Sequence, residues 1–361
     1  MSDDGGDKWI LSLDGGGVRG LMVAVFLGHL EREVGRPLAT CFDLIAGTSS
    51  GALLTGGLSL GPDGNALVPT SELTRFFYED GPRIFRSSRM GFFKTWRWLR
   101  GPLYSTPTLN RLLEQRLGPI KLSDVTNNIL LTAYDMRRGE PVLFQSWLAG
   151  SGRAQAMRDS GRGALQFCPT RDDEATQDFA LAEAITASAA VPTFFAPINV
   201  PRRGGEYYAL IDGFVFAINP VMPAYFAARL RFGFENRFRI LSIGTGKNER
   251  KYDIDDLAGR GAIGWVRPVL EAFPDGASDA SVTYMDWLSG ITDVEHHRIN
   301  AIIDQAVDKD APSPDFDDAS RTNLERLEAF GHQLFERNRE RLDPLIQDLR
   351  AHAESIHAPT S

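Results

Sequence analysis

Two short apolar runs, each closing on glycine and each followed by helical periodicity, open the chain. Residues 9–13 (WILSL) have the unbroken apolar character of a central parallel strand and lead straight into Asp14-Gly15-Gly16-Gly17-Val18-Arg19-Gly20. From Leu21 to Glu33 the apolar positions 21, 25, 27 and 30 share one helical stripe, which Gly35 and Pro37 terminate. Residues 42–46 (FDLIA) predict a second buried strand, and Gly47-Thr48-Ser49-Ser50-Gly51 turns from it into a helix reaching Leu60. Further along, the pattern predicts helices near 71–79 and 106–117, a strand pair at 129–135 and 141–146, and a helix at 178–190. Extended segments follow at 193–200 and 207–211, then a helix at 219–231 and a buried strand at 238–243 that closes on Gly244-Thr245-Gly246. Residues 150–175 lack apolar periodicity and read as an exposed loop. Beyond Gly246 the pattern turns mainly helical, with a Pro- and Asp-rich loop at 308–318 and one or two amphipathic helices over 319–353. This alternation predicts an α/β fold: a mostly parallel sheet covered by helices, with ligands at the C-terminal ends of the strands.

Composition narrows the partners. A net charge of −8 makes duplex nucleic acid an unsuitable general partner. The two cysteines, Cys41 and Cys168, give neither a disulfide framework nor metal-ligand spacing, so a reducing cytoplasm is expected and no metal or cofactor. The first residues, MSDDGGDK, lack the features of a secretory signal, and no apolar run is long enough for a membrane-spanning helix. A lipid substrate would therefore be approached from the water side, by a cytoplasmic protein that is peripheral to the membrane when active.

Three motifs carry candidate chemistry. Glycines between a strand and a helix let backbone amides hold an anion, and Gly15, Gly17 and Gly20 also fit a dinucleotide-binding pattern. That second reading wants an acidic residue ending the next strand, whereas Asp43 opens it. In Gly47-Thr48-Ser49-Ser50-Gly51, a G-x-S-x-G turn between strand and helix presents Ser49 as a nucleophile, the alternative being a serine that merely caps the helix. Turns after adjacent parallel strands lie side by side, so the amides of Gly15, Gly16 and Gly17 can face Ser49 as oxyanion donors. Arg19 can brace that loop, contact an anionic head group, or form a surface salt bridge. The third motif, Asp212-Gly213-Phe214, ends an extended run, and Asp212 is either the base for Ser49 or an ordinary turn residue. Of the six histidines, His29 sits mid-helix between apolar neighbours, while His296 and His297 could complete a Ser–Asp–His triad of the α/β-hydrolase kind. A nucleotide-binding module without hydrolase activity rests on the glycine loop alone.

In their order, DGGGVRG at 14–20, GTSSG at 47–51 and DGF at 212–214 resemble the patatin-like phospholipase family over roughly residues 8–245. The resemblance implies a three-layer fold, with a catalytic domain over 1–310 and a helical extension over 311–361 packed on it. It also implies a Ser49–Asp212 dyad without histidine, an oxyanion hole at Gly15, Gly16 and Gly17, and hydrolysis of acyl esters in membrane phospholipids. Asn219-Pro220 supports the register. Phe214 departs from the small residue usual after Asp-Gly and is expected to narrow the pocket. Compact size makes the chain similar to the phospholipase effectors of bacterial anti-phage systems, which implies activation by a cyclic nucleotide and self-association into a homo-oligomer as open possibilities. Finally, residues 83–100 interleave aromatics with cations and no acid, including Arg86, Arg89, Lys94, Trp96 and Arg97. Such a segment suits an anionic lipid surface or a phosphorylated activator, or else a loop whose aromatics pack on the core.

Overall fold

The computed structural model describes residues 6–86, 101–149, 178–201, 207–247, 253–305 and 308–357. Eight strands form one sheet: β1 (Asp7–Leu13), β2 (Leu44–Gly47), β3 (Ile129–Asp135), β4 (Glu140–Gln145), β5 (Ile198–Pro201), β6 (Tyr207–Asp212), β7 (Arg237–Ile243) and β8 (Val294–Ile299). Followed from partner to partner, the order is β5-β6-β3-β2-β1-β7-β8, with β4 pairing β3. Strands β1, β2, β3, β7 and β8 run parallel, while β4 and β6 are antiparallel to β3 and β5 is antiparallel to β6.

The pairing of β3 has a local consequence. Leu130 and Leu131 pair with β2 on one side and β4 on the other, and Ala133 pairs with both β4 and β6. Since a strand has two edges, β2 and β6 must follow one another along the same edge of β3. Strand β2 ends at Gly47 opposite Leu131, and β6 ends at Asp212 opposite Ala133. The turn after β2 and the last residue of β6 are thus brought together by register alone.

Helices cover both faces, giving three layers. Alternation in β1 divides the core: Trp9, Leu11 and Leu13 point to one face, and Ile10 to the other. The first face packs α1 (Gly20–Val34), α2 (Ser50–Leu58), α3 (Thr70–Glu79), α5 (Thr106–Leu117) and α6 (Leu181–Ala189). Between α3 and α5 comes the short α4 (Gly81–Ile84). The second face packs α8 (Val221–Phe232) and the C-terminal half of α10 (Ala262–Ile291), reached through the short helices α7 (Phe214–Ala217) and α9 (Ile254–Ala258). The last helices, α11 (Arg321–Arg337) and α12 (Arg339–His357), belong to the first core, and the Phe335 ring lies 5.3 Å from that of Phe26 in α1.

One expectation is corrected. The region after Gly246 is mainly helical as expected, but His296 and His297 do not lie on a helix: they sit on Val294–Ile299, a parallel edge strand. Its sequence, VEHHRI, buries only its two end residues and so gives neither the apolar run nor the alternation that marks a strand. The loop expected at 150–175 lies outside the described residues.

Helix α11 sits so close to α1 that a Cβ at Gly331 would fall 2.7 Å from the Met22 carbonyl oxygen. Gly331→Val is expected to cost about 1–3 kcal/mol through overpacking, read as a lower denaturation midpoint.

Candidate active site

Strand β2 turns sharply at Gly47 because no side chain fits there. A Cβ on Gly47 would lie 2.2 Å from the Gly51 carbonyl oxygen, and one on Gly51 would lie 2.1 Å from that of Leu13. Between them Ser49 adopts φ 56° and ψ −120°, a strained conformation for a residue with a side chain. Its amide donates to Ser188 Oγ at 2.9 Å, which ties the turn to the C-terminal end of α6. The Thr48 hydroxyl donates to the Ala217 carbonyl at 2.6 Å and accepts from Thr132 Oγ1 at 2.7 Å. Those two bonds lash the turn to β3 and to the helix that follows Asp212.

Asp212 is wholly buried at the end of β6. Its Oδ1 accepts from the Phe214 amide at 2.8 Å, and a Cβ on the intervening Gly213 would lie 2.1 Å from Thr132 Oγ1. Burial pushes the carboxyl up to about 7, against smaller lowering by the Phe214 amide and then by the Ser49 side chain. Ser49 and Asp212 thus face each other, although Asp212 Oδ2 has no partner with good hydrogen-bond geometry.

The first glycine turn lies against the same site. The Gly15 amide is taken by the Ile218 carbonyl at 2.9 Å, and the Val18 amide by the Phe316 carbonyl at 2.8 Å. Among the described residues, no acceptor meets the amides of Gly16 and Gly17. Gly17 has φ +59°, and a Cβ there would lie 2.1 Å from the Phe316 carbonyl oxygen. Arg19 turns inward to brace the loop, donating to the carbonyls of Gly246 at 3.2 Å and Gly16 at 3.5 Å. Burial lowers the proton affinity of its guanidinium, opposed by Asp275, Asp315 and Asp14.

Gly17 and Ser49 open on a narrow apolar cavity of about 50 Å³, walled chiefly by Phe76, Ile84, Phe85, Leu109, Phe195 and Phe316. Ser49 is only 6% exposed, so its hydroxyl meets this cavity and not bulk water. Phe214 does not narrow the cavity as expected: it turns away to stack edge-on against Phe273 of α10, with ring centroids 6.2 Å apart. A larger, open hollow of about 410 Å³ lies elsewhere, among Tyr225, Phe226, Arg229 and Asp293 near the N-terminal ends of β7 and β8.

The histidines lie apart from Ser49. His296 contacts Asp286 at 3.5 Å and His297 contacts Glu295 at 2.9 Å, both on β8, three strands from β2 and on the order of 14 Å across the sheet. His29 stacks on Phe335 and bonds His332 at 2.6 Å, as a packed helical residue. Of the basic aromatic segment, Phe85 lines the cavity and Arg86 is exposed, while Arg89, Lys94, Trp96 and Arg97 lie outside the described residues.

Four contributors were missed in the sequence. Arg298 makes a two-pronged ion pair with Asp14, with Nη1 to Oδ1 at 2.9 Å, and also bonds Ser242 at 2.7 Å. Ser188 and Thr132 hold the elbow, but no pattern distinguishes them from other small polar residues. Phe316 did leave a trace, as the lone aromatic in an acidic, proline-rich loop.

A patatin-like phospholipase family model matches residues 11–225. Patatin-like protein 2 of Arabidopsis thaliana is 30% identical over 363 aligned residues, covering 91% of this chain and 83% of its own. Patatin-08 of Solanum tuberosum is 27% identical over 358, covering 91% and 84%. Among solved structures, the human GIVD cytosolic phospholipase A2 aligns with TM-score 0.40 and 14% identity over 96% of this chain, which spans 60% of that structure. The family match covers more than half of the sequence and sets the class, a lipid-ester hydrolase. The chain belongs to the patatin-like phospholipase family. Among the described residues, no helix is long and apolar enough to cross a membrane.

Burial favours the neutral Asp212 carboxyl, so the folded form holds its proton more tightly than the unfolded chain does. The stabilisation this gives is complete below the ordinary value of 3.8 and is lost as pH rises through about 7. Asp212→Asn, neutral at every pH, should match the parent melting temperature near pH 4 and exceed it increasingly above. Equal melting temperatures throughout would contradict the buried, raised carboxyl.

Proposed function

We propose that this chain is a phospholipase of the A type, cleaving acyl esters through Ser49 and Asp212. One observation carries the reading: a strained serine hydroxyl meets a buried carboxyl, beside two amides without acceptors, at the mouth of an apolar slot. Ser49 Oγ attacks the ester carbonyl carbon while its proton passes to the Asp212 carboxylate. The oxyanion accepts from the amides of Gly16 and Gly17, leaving Gly15 the structural role of holding the loop to Ile218. Collapse of the tetrahedral intermediate breaks the bond to the alcohol oxygen, which takes the proton and leaves as the lysolipid. Water, deprotonated by Asp212, then attacks the acyl-enzyme and frees the fatty acid. A carboxyl held near pH 7 is matched to this exchange, because it can both take and return a proton close to neutrality.

The acyl chain occupies the apolar slot, and the glycerol and head group face the glycine turn. Phe85 lines the slot and the exposed Arg86 follows it in sequence, which supports a lipid-facing role for Arg86 and for Arg89, Lys94, Trp96 and Arg97 further along the same segment.

Ser49→Ala should lower fatty-acid release from phosphatidylcholine vesicles by roughly ten-thousandfold, whereas His296→Ala combined with His297→Ala should leave it essentially unchanged. Loss of release in the folded double variant would favour a histidine triad instead. Running the assay with and without cyclic nucleotides tests the activator implied by the effector likeness.

Gly81 lines the slot, and a Cβ there would meet only Ala319, at 4.0 Å. The Cβ of Gly81→Val therefore fits without clash, and its branched side chain is expected to narrow the slot that Gly81 lines. It should shift relative kcat/KM toward short acyl chains by roughly tenfold or more, measured on an ester series of graded length.

A further inference from the structure

Helix α10 is 30 residues long, about 45 Å at 1.5 Å per residue, and among its described side chains only Pro268 and Met285 are buried. Met285 and Leu288 pack with Val221 and Ala224 on the sheet face opposite the apolar slot. Toward the site end, Ser278 reaches Arg298 and Asp14. The outward side carries an apolar stripe from Trp265 to Ile291 in steps of three and four residues, which keeps it on one helical face. Val269, Trp287 and Ile291 are 51%, 65% and 80% exposed, values a single copy in water would not favour for so many large side chains in a row.

The order along this stripe is nearly palindromic about Ser278. Trp265 and Ile291 are equidistant from it, as are Val269 and Trp287, and Gly276 and Ala280, while Phe273 and Tyr284 miss symmetry by one residue. A two-fold axis uses the same patch on both partners and so requires a self-complementary surface. Laid antiparallel, two copies set Trp265 against Ile291, Val269 against Trp287 and Phe273 against Tyr284. The small Gly276 and Ala280 meet at the axis, where they let the backbones approach. The exposed parts of the six large side chains offer on the order of 600 Å² per copy, near the roughly 800 Å² per partner of a standard interface. Asp279 at the flank is already paired with Lys247 and stays at the rim. A lipid surface is the poorer occupant. From Ser278 to Ile291 the stripe runs back along the sheet to its far end, on the face away from the slot, so a bilayer feeding Ser49 would not cover Tyr284, Trp287 and Ile291.

We infer that two copies of this chain form an isologous dimer in which their Ala262–Ile291 helices pair antiparallel and cross at Gly276 and Ala280. The dimer does not depend on the hydrolase reading, since none of these side chains enters the proposed chemistry. Sedimentation velocity of the full chain at micromolar concentration should give the mass of a dimer. Val269→Glu and Trp287→Glu should each give a monomer with an unchanged melting temperature. Mixed Gly276→Cys and Ala280→Cys chains should form a disulfide-linked dimer under mild oxidation faster than the parent chain does. A monomeric parent would overturn the inference, as would a dimer untouched by both Glu substitutions or a mixed pair that links no faster than the parent. Loss of phosphatidylcholine-vesicle binding with no change in mass would overturn it too, and would assign the stripe to lipid.

Discussion

Because β3 has only two edges and β4 takes one of them, β2 and β6 must share the other, one after the other. Where β2 stops, its chain has to turn away at once, and where β6 stops, its last side chain meets that turn. The meeting of Ser49 and Asp212, 163 residues apart in sequence, follows from this hydrogen-bond register and not from any local preference of either residue. Everything else at the site secures the junction: Thr48 and Thr132 join the turn to β3, Ser188 holds the Ser49 amide, and Gly213 leaves room beside Thr132.

The same junction explains the electrostatics. Asp212 is wholly buried at the end of β6, so its carboxyl is stripped of water, with no cation beside it among the described residues, and burial dominates its proton affinity. Burial raises the Asp14 carboxyl as well, but there Arg298 reaches across from β8 to pair with it and opposes the rise. One carboxylate is thereby committed to structure, anchoring the glycine turn, while the other is left able to exchange a proton. Arg19 completes the turn from within, because its guanidinium donates to the carbonyls of Gly16 and Gly246 and so ties the two glycine turns together.

A loop remote in sequence closes the site. The Phe316 carbonyl accepts from Val18, its ring stacks on Phe194 with centroids 4.5 Å apart, and Tyr104 bonds Asp317 at 2.6 Å. The final helices are thus joined to the candidate active site by more than their own packing. The segment that introduces them forms part of the cavity wall.

Local information was enough for much of this protein. The apolar run WILSL, the stripe of α1 and the two glycine turns marked the first strands and helices within a residue or two, because strand burial and helical period leave direct traces in residue order. Gly47 and Gly51 named Ser49, since only glycine tolerates the contacts that a sharp turn imposes. Strand β8 left no such trace: VEHHRI is an edge strand held by backbone pairing to β7, with mostly half-buried side chains. Sequence likewise could not separate Gly15, whose amide is spent on Ile218, from Gly16 and Gly17, whose amides are not, or tell that Arg19 turns inward and that Asp212 is wholly buried. Those outcomes depend on which groups from distant segments arrive beside each residue. Burial, pairing and proton affinity are properties of that assembled neighbourhood, so only the tertiary structure could decide them.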